Sequence, residues 1–472
     1  MKTKKRIEIN RFDFKNKDNE ICYEKFYNYF PTKELYNSSG IEIANFQYES
    51  EDLRNYQLTM PEDVQSIKGL ALYKQRLANF GDIHRLLIYA DNKKVYLHQL
   101  LQGTNSIHWL YELTFENTPI TLAYKIDDED AIIITDGNQM KIWKTNFSPY
   151  TVQNAPIITD MCMNEGVLYC CLKEPAFKIW YATDLNPENV GGINKYSGYI
   201  SLEDDLGNAN RVVVLDENVY VIRDFGISKI NYTQSEIVVS QVYSTNTKIL
   251  SKTVSVCGNV LLFMTKEGLY SYNGTKVNKI NMQINFAKDM DMKKITACSL
   301  ADKYYLACRL DYNDENKILS ENLEFVNNSL IILNITDNTF EILRGVDINA
   351  MLPVKTETYE KVLVISNLEN SNKISEIVEK SSCFDENLPK YWISKNIFEN
   401  FDVKLFTKLI VDADKDVVFK LMYDDKEISF TTYKSGLNEF VFKIMGKQLR
   451  LEISSNEING AVKKVYLDYY DY

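Results

Sequence analysis

Arg85-Leu86-Leu87-Ile88-Tyr89-Ala90-Asp91-Asn92-Lys93-Lys94-Val95-Tyr96-Leu97-His98 holds two apolar runs on either side of a short polar turn. A strand with one wet face alternates apolar and polar residues, whereas the first run here is apolar at both parities. That pattern predicts a sheet covered on both faces. Asp91 and Asn92 tolerate positive φ, so the two runs read as a hairpin.

The same phrase returns along the chain. Ala131 to Thr135 faces Met140 to Trp143 across Asp136-Gly137-Asn138, and Val167 to Leu172 faces Phe177 to Tyr181. Arg211 to Leu215 pairs with Val219 to Ile222, and Asn259 to Thr265 with Leu269 to Tyr272. Lys303 to Leu310 with Ser329 to Ile335, and Lys361 to Ile365 with Ile374 to Glu379, complete seven hairpins, the last two across polar insertions. Turn centres fall roughly 37 to 54 residues apart, the length of one four-stranded propeller blade.

The predicted fold is therefore all-β: a seven-bladed β-propeller over 41–385. A strand within Ile41 to Leu58 is expected to pair with the last blade and close the ring, which removes open sheet edges. Residues 1–40 are expected to form an N-terminal arm. From about Asp385 the pattern changes to evenly spaced runs, Leu405 to Val411, Asp416 to Tyr423, Ile428 to Tyr433, Glu439 to Ile444, Gln448 to Ile453 and Val462 to Leu467. Over 386–472 these predict an appended antiparallel, sandwich-like β domain. Helix signals are few, with short turns expected at Asn285 to Lys294 and from Asn186 onward.

With 65 acidic and 54 basic residues the net charge is −11, which disfavours broad nucleic-acid binding because phosphate affinity rests on Lys and Arg. The basic opening, Lys2, Lys4, Lys5 and Arg6, is the local exception and is expected to be a solvated end. No run approaches the roughly 18 apolar residues of a spanning helix, so no membrane partner is expected. The start of the chain lacks the apolar stretch of a secretion signal, and folding in a cytoplasm is the expectation. Of the 8 cysteines, Cys170, Cys171, Cys257, Cys298 and Cys308 lie in apolar runs and are expected to be buried, inert thiols.

Few residues suggest chemistry. His84, His98 and His108 lack metal-ligand spacing, and no phosphate-cradling or nucleophile-elbow motif occurs. Asp127-Asp128-Glu129-Asp130 lacks the alternation that would aim several carboxylates at one calcium ion, so it reads as a solvated turn. Glu203-Asp204-Asp205 is the carboxylate cluster with the best claim to acid and base work on a polysaccharide, and reads first as a loop. Thr135-Asp136-Gly137 with Trp143 echoes a sialidase turn, but its spacing is wrong. Trp143, Trp180 and Trp392 read as packing residues. No catalytic, cofactor-binding or metal residue is assigned.

The segment Phe177-Lys178-Ile179-Trp180-Tyr181-Ala182-Thr183-Asp184-Leu185-Asn186-Pro187-Glu188-Asn189-Val190 resembles a phrase of β-propeller proteins in tailed-phage virions, the tail-nozzle, packaged-DNA-stabilising and head-tail connector group. The Leu87-Ile88-Tyr89-Ala90-Asp91-Asn92 hairpin and Phe263-Met264-Thr265 to Gly268-Leu269-Tyr270 are similar to theirs, and the resemblance covers roughly residues 65 to 385. It implies a non-enzymatic structural protein of the virion neck or tail, without cofactors. It also implies several copies around a symmetry axis, contacting portal, adaptor, tail or capsid components. The location implied is the virion, after folding in a host bacterial cytoplasm. Two rival readings are a host-surface or glycan binder using Tyr391 and Trp392 of the C-terminal domain, and a polysaccharide-active propeller enzyme using Glu203, Asp204 and Asp205.

Overall fold

The computed structural model describes residues 4–9, 23–27, 30–32, 35–37, 41–45, 47–49, 55–57, 60–77, 81–99, 107–126, 129–144, 149–152, 155–183, 197–232, 237–280, 286–310, 325–336, 339–344, 347–356, 360–366, 374–379, 390–394, 397–398, 402–455 and 462–471. All regular elements among them are strands. No described helix is long and apolar enough to cross a membrane.

Seven four-stranded antiparallel sheets follow one another along the chain, spanning 67–114, 120–151, 158–201, 209–244, 249–279, 296–344 and 348–379. They are blades 1 to 7 of a propeller. The innermost strands are Ile67–Leu77, Ile120–Ile126, Ile158–Asn164, Ala209–Leu215, Ile249–Cys257, Thr296–Leu300 and Ile348–Lys355, and each approaches the next until the seventh meets the first. Blade 7 takes its fourth strand from the other end of the chain: Ile41–Asn45 pairs antiparallel with Ser375–Glu379, with Ile43 opposite Ile377. The ring is closed as the alternation at Ile43 and Ala44 predicts.

Alternation explains why the hairpins are apolar at both parities. In blade 1, Leu86 and Ile88 pack with Leu363 and Ile365 of blade 7, while Leu87 and Tyr89 pack with Ile132 and Ile134 of blade 2. In blade 3, Cys170 and Trp180 face Ile133 and Ile142 of blade 2, while Tyr169 and Cys171 face Val212 and Val221 of blade 4. Each blade-to-blade contact has its own hydrophobic cluster. The one between blades 5 and 6, with Met264, Tyr304 and Leu306, runs on into the core of the C-terminal domain at Phe406, Leu409, Phe419 and Leu467. Fully burying one such side chain contributes about 2 kcal/mol.

Polar groups tie the inner strands together. The Val212 N–H of blade 4 donates to Asp160 of blade 3 at 2.8 Å, and Arg211 donates to the Ser251 carbonyl of blade 5 at 3.0 Å. The buried Tyr304 hydroxyl of blade 6 donates to the Thr253 carbonyl of blade 5 at 2.7 Å. Cys170, Cys171, Cys257, Cys298 and Cys308 are buried. Burial pushes the Cys257 thiol up to about 11 and the other four higher, so none is a ready nucleophile.

One hairpin is out of phase with the others. Arg211 to Leu215 and Val219 to Ile222 are the first two strands of blade 4, whereas the other six predicted hairpins are the second and third strands of their blades. Asp216 and Glu217 both have positive φ and make a tight turn that mimics the repeat's signal. The true counterpart is Asn218–Arg223 with Gly226–Tyr232, around Asp224 and Phe225. Asn285 lies outside the described residues, but turns do occur at 288–289 and 292–294; Asn186 onward lies outside them.

The C-terminal strands build two sheets packed as a sandwich. The four-stranded sheet runs Lys4–Glu8, Val462–Asp471, Lys404–Ala413, Gly436–Gly446; the five-stranded sheet runs Tyr23–Tyr27, Lys390–Ser394, Arg450–Ser455, Val418–Tyr423, Lys426–Thr431. Lys4, Lys5 and Arg6 of the basic opening run thus lie on an edge strand of a sheet, ordered by pairing while their side chains stay exposed; Lys2 lies outside the described residues. The cause of the pairing is electrostatic: Asp468 is wholly buried, Arg6 grips it through two bonds of 2.6 and 3.1 Å, and Lys4 sits 2.7 Å away. Arg6 above all, with Lys4 added, holds the Asp468 carboxyl down at about 2 against the opposing effect of burial.

Glu42→Pro with Ile43→Pro removes whichever of two neighbouring N–H groups bonds Ser375–Glu379, and a lowered, broadened thermal unfolding transition is expected by calorimetry. Asp468 is ionised more easily folded than unfolded, so its contribution is complete above about pH 4 and disappears as the pH falls towards 2, amounting to about 2 kcal/mol. Urea midpoints measured between pH 5 and 2 should fall less steeply in Asp468→Asn than in the parent chain.

Candidate interaction face

Among the described residues, three blades use an aspartate to fasten the start of their inner strand. Asp91 accepts the Gln65 N–H at 3.2 Å, Asp136 accepts that of Glu116 at 2.8 Å, and Asp224 accepts that of Asn208 at 3.0 Å. Each aspartate ends the second strand of its blade, so the turn to the third strand and the connection from the preceding blade lie on one rim of the propeller. Asp136 also accepts the N–H groups of Asn138 and Gln139, which makes Thr135-Asp136-Gly137 a structural turn, with Gly137 at φ +77°.

Between blades 3 and 4 this rim is most elaborately built. The connection 202–208 arches over Arg223, whose side chain is 0% exposed. The guanidinium donates to the Leu202 and Gly207 carbonyls, each at 2.9 Å, and its third nitrogen lies 2.7 Å from the Asp204 carboxylate. The rigid planar fork is what lets one side chain serve acceptors on several sides. Gly207 has φ +80°, and a Cβ there would come within 2.8 Å of the Asp224 side chain, so no other residue fits. Asp224 next door accepts from Asn210 at 3.0 Å and pairs with Lys248 at 2.7 Å. Burial works against its ionisation, but these partners prevail and hold the carboxyl below its ordinary range.

Apolar side chains face solvent on either side of the arch. Phe177 (38% exposed) and Phe225 (39%) flank it, and their backbones are bonded to its two ends through Leu202 N–H to Phe177 O and Phe225 N–H to Leu206 O. Ile157 (40% exposed) lies on the same rim, its carbonyl accepting the Lys173 N–H. Lys178 stands 5.6 Å over the Phe177 ring. These are rigidly anchored apolar groups with charged neighbours, a composition suited to a protein partner.

The carboxylates of Glu203-Asp204-Asp205 are individually placed. Glu203 accepts the Ser201 hydroxyl at 2.7 Å, Asp204 pairs with Arg223, and all three residues are exposed on the loop. Asp127 and Asp128 lie outside the described residues, as do the side chains of Glu129 and Asp130. Among the described residues no cluster of histidine, cysteine and carboxylate is arranged to hold a metal ion. His98 is buried, and burial pushes its imidazole down to about 4. Trp143 and Trp180 are buried between blades 1 and 2 and blades 2 and 3. Tyr391 and Trp392 lie on Lys390–Ser394, paired on both sides within the five-stranded sheet, and their side chains lie outside the described residues.

Sequence reading passed over Arg223, Phe225 and Ile157. A signal existed in Val219-Tyr220-Val221-Ile222-Arg223-Asp224-Phe225-Gly226: an arginine closing an apolar strand must be neutralised where it lies.

No protein-family model matches the chain, and no curated protein matches it in sequence. Among solved structures it is similar to BBS1N in complex with ARL6DN, at 13% identity over 73% of this chain and 98% of that one, with a TM-score of 0.43. It is likewise similar to BamB from Moraxella catarrhalis, at 11% identity over 80% of this chain and 96% of that one, with a TM-score of 0.40. Hsv2 from Kluyveromyces lactis matches at 10% identity over 69% and 98%, with a TM-score of 0.38.

Arg223→Ala leaves the Leu202 and Gly207 carbonyls without their donor and opens a cavity, with an expected loss of about 3 kcal/mol. Guanidinium unfolding measures it, and Arg223→Lys should recover only a small part because an ammonium cannot reproduce the fork.

Proposed function

We infer that this chain is a non-enzymatic structural protein of a tailed-phage virion, in the neck, tail or head-tail connector region. It serves as an assembly scaffold, bound through its propeller to portal, adaptor, tail or capsid components, in several copies around the particle axis. It folds in the host cytoplasm and ends in the virion.

The observation that carries the reading is the rim between blades 3 and 4. Phe177, the first residue of the segment that resembles the virion propellers, is one of the apolar groups held outward there by the Arg223-braced arch. A scaffold needs a surface whose shape is set before its partner arrives, because ordering loops on binding costs affinity. Three hydrogen bonds and an ion pair from Arg223, with the pinned glycine at 207, give this surface that preorganisation.

The test is mass spectrometry of purified particles from the phage or induced prophage that encodes the chain. The peptide set of this protein is expected at a stoichiometry comparable with other neck or tail components, and particles that assemble without it overturn the reading. Phe177→Asp with Phe225→Asp, in a chain that still folds, is expected to reduce its incorporation at least tenfold.

A further inference from the structure

Gly436–Gly446 is the outermost strand of the four-stranded sandwich sheet, with Lys404–Ala413 on one side and no described strand on the other. Unpaired strand edges recruit other strands, and proteins usually blunt them with charge. The opposite edge of this sheet is blunted by Lys4, Lys5 and Arg6. Gly436–Gly446 does the reverse: Leu437 is 55% exposed, Val441 77% and Met445 47%. The ladder to Lys404–Ala413 shifts register between Phe406 and Lys408, with the extra residue on Gly436–Gly446 at Phe442 and Lys443, yet the exposed alternation Leu437, Glu439, Val441, Lys443, Met445 continues unbroken.

That row is self-complementary when read in both directions from Val441. In an antiparallel pair centred there, Val441 meets its own copy, Glu439 meets Lys443 and Leu437 meets Met445 on the exposed face; on the other face Phe440 meets Phe442, the terminal glycines meet each other, and Asn438, whose side chain is bonded within its own turn, falls opposite Ile444. We propose that this edge is a homodimer interface, in which two copies of the chain pair their Gly436–Gly446 strands antiparallel about Val441 and join their sandwich sheets into one. Two Glu439–Lys443 pairs and an apolar centre set the register, because a slip of two residues sets charge against apolar groups and a slip of four sets like charges opposite each other. Glu439 is already oriented on this face by Lys408, 2.8 Å away, and no described residue pairs with Lys443. The two-fold arrangement consumes both edges and therefore stops at two copies. Only the sandwich is involved, so the pairing is independent of where the propeller is installed.

Sedimentation of the full-length chain over a micromolar concentration series should show a monomer–dimer equilibrium. Glu439→Lys alone places lysines opposite lysines, and Lys443→Glu alone places glutamates opposite glutamates; each is expected to weaken dimerisation at least about tenfold. Mixing these two variants restores every opposite-charge pair and should restore the dimer, which a merely structural role of either residue would not do. Thermal melts of each variant, at exposed positions, confirm that the fold is retained. A parent chain that stays monomeric overturns the proposal. So does a dimer unaffected by Val441→Glu, or a mixture no more dimeric than its components, since either outcome puts the contact elsewhere or in another register.

Discussion

A sheet that is apolar on both faces has no stable existence by itself. Successive side chains of a strand point to opposite faces, so Leu86 and Leu87, adjacent in the chain, bury themselves in different neighbours. Every blade therefore requires two others, and the requirement ends only when the seventh reaches the first. Closure is the condition under which all seven hydrophobic clusters exist at once, and Ile41–Asn45 completes it by joining the sheet of the last blade.

The same stretch of chain ties the two halves of the molecule together. Lys4–Glu8 and Tyr23–Tyr27 finish the two sandwich sheets before Ile41–Asn45 finishes the ring. The cluster between blades 5 and 6 is continuous with the sandwich core, so neither part has a boundary at which its apolar surface is complete. Asp468 shows the strength of the arrangement: a carboxylate with no solvent exposure is tolerated because Arg6 and Lys4, more than 400 residues earlier, neutralise it.

Around the ring, polar groups decide local shape where apolar packing is indifferent to it. Asp91, Asp136 and Asp224 each replace a missing ladder partner for the first residues of an inner strand, and in blade 6 Asn328 bonds both the N–H and the carbonyl of Leu310 where the chain leaves for its insertion. Between blades 3 and 4 the same tactic, extended by the buried Arg223, shapes the surface that carries Phe177 and Phe225. The functional reading of that face rests on its rigidity and its apolar tips.

Hairpin turns, alternation and the spacing between turns are local properties, and they sufficed to read seven blades, the closing strand near Ile43 and the sandwich runs from Leu405 onward. They misplaced one hairpin, because Asp216-Glu217 and Asp224-Phe225 are both good turns and nothing local says which lies nearer the axis. Buried thiols were legible too, since Cys170 and Cys298 sit among residues that must be inside. What only the tertiary structure decided are the meetings across long separations: Lys4 and Arg6 with Asp468, Arg223 with the arch from Leu202 to Gly207, Phe177 with Phe225 on one rim. A strand's pattern records which of its faces are covered but not by whom, because burial is a property of one residue and pairing is a property of two.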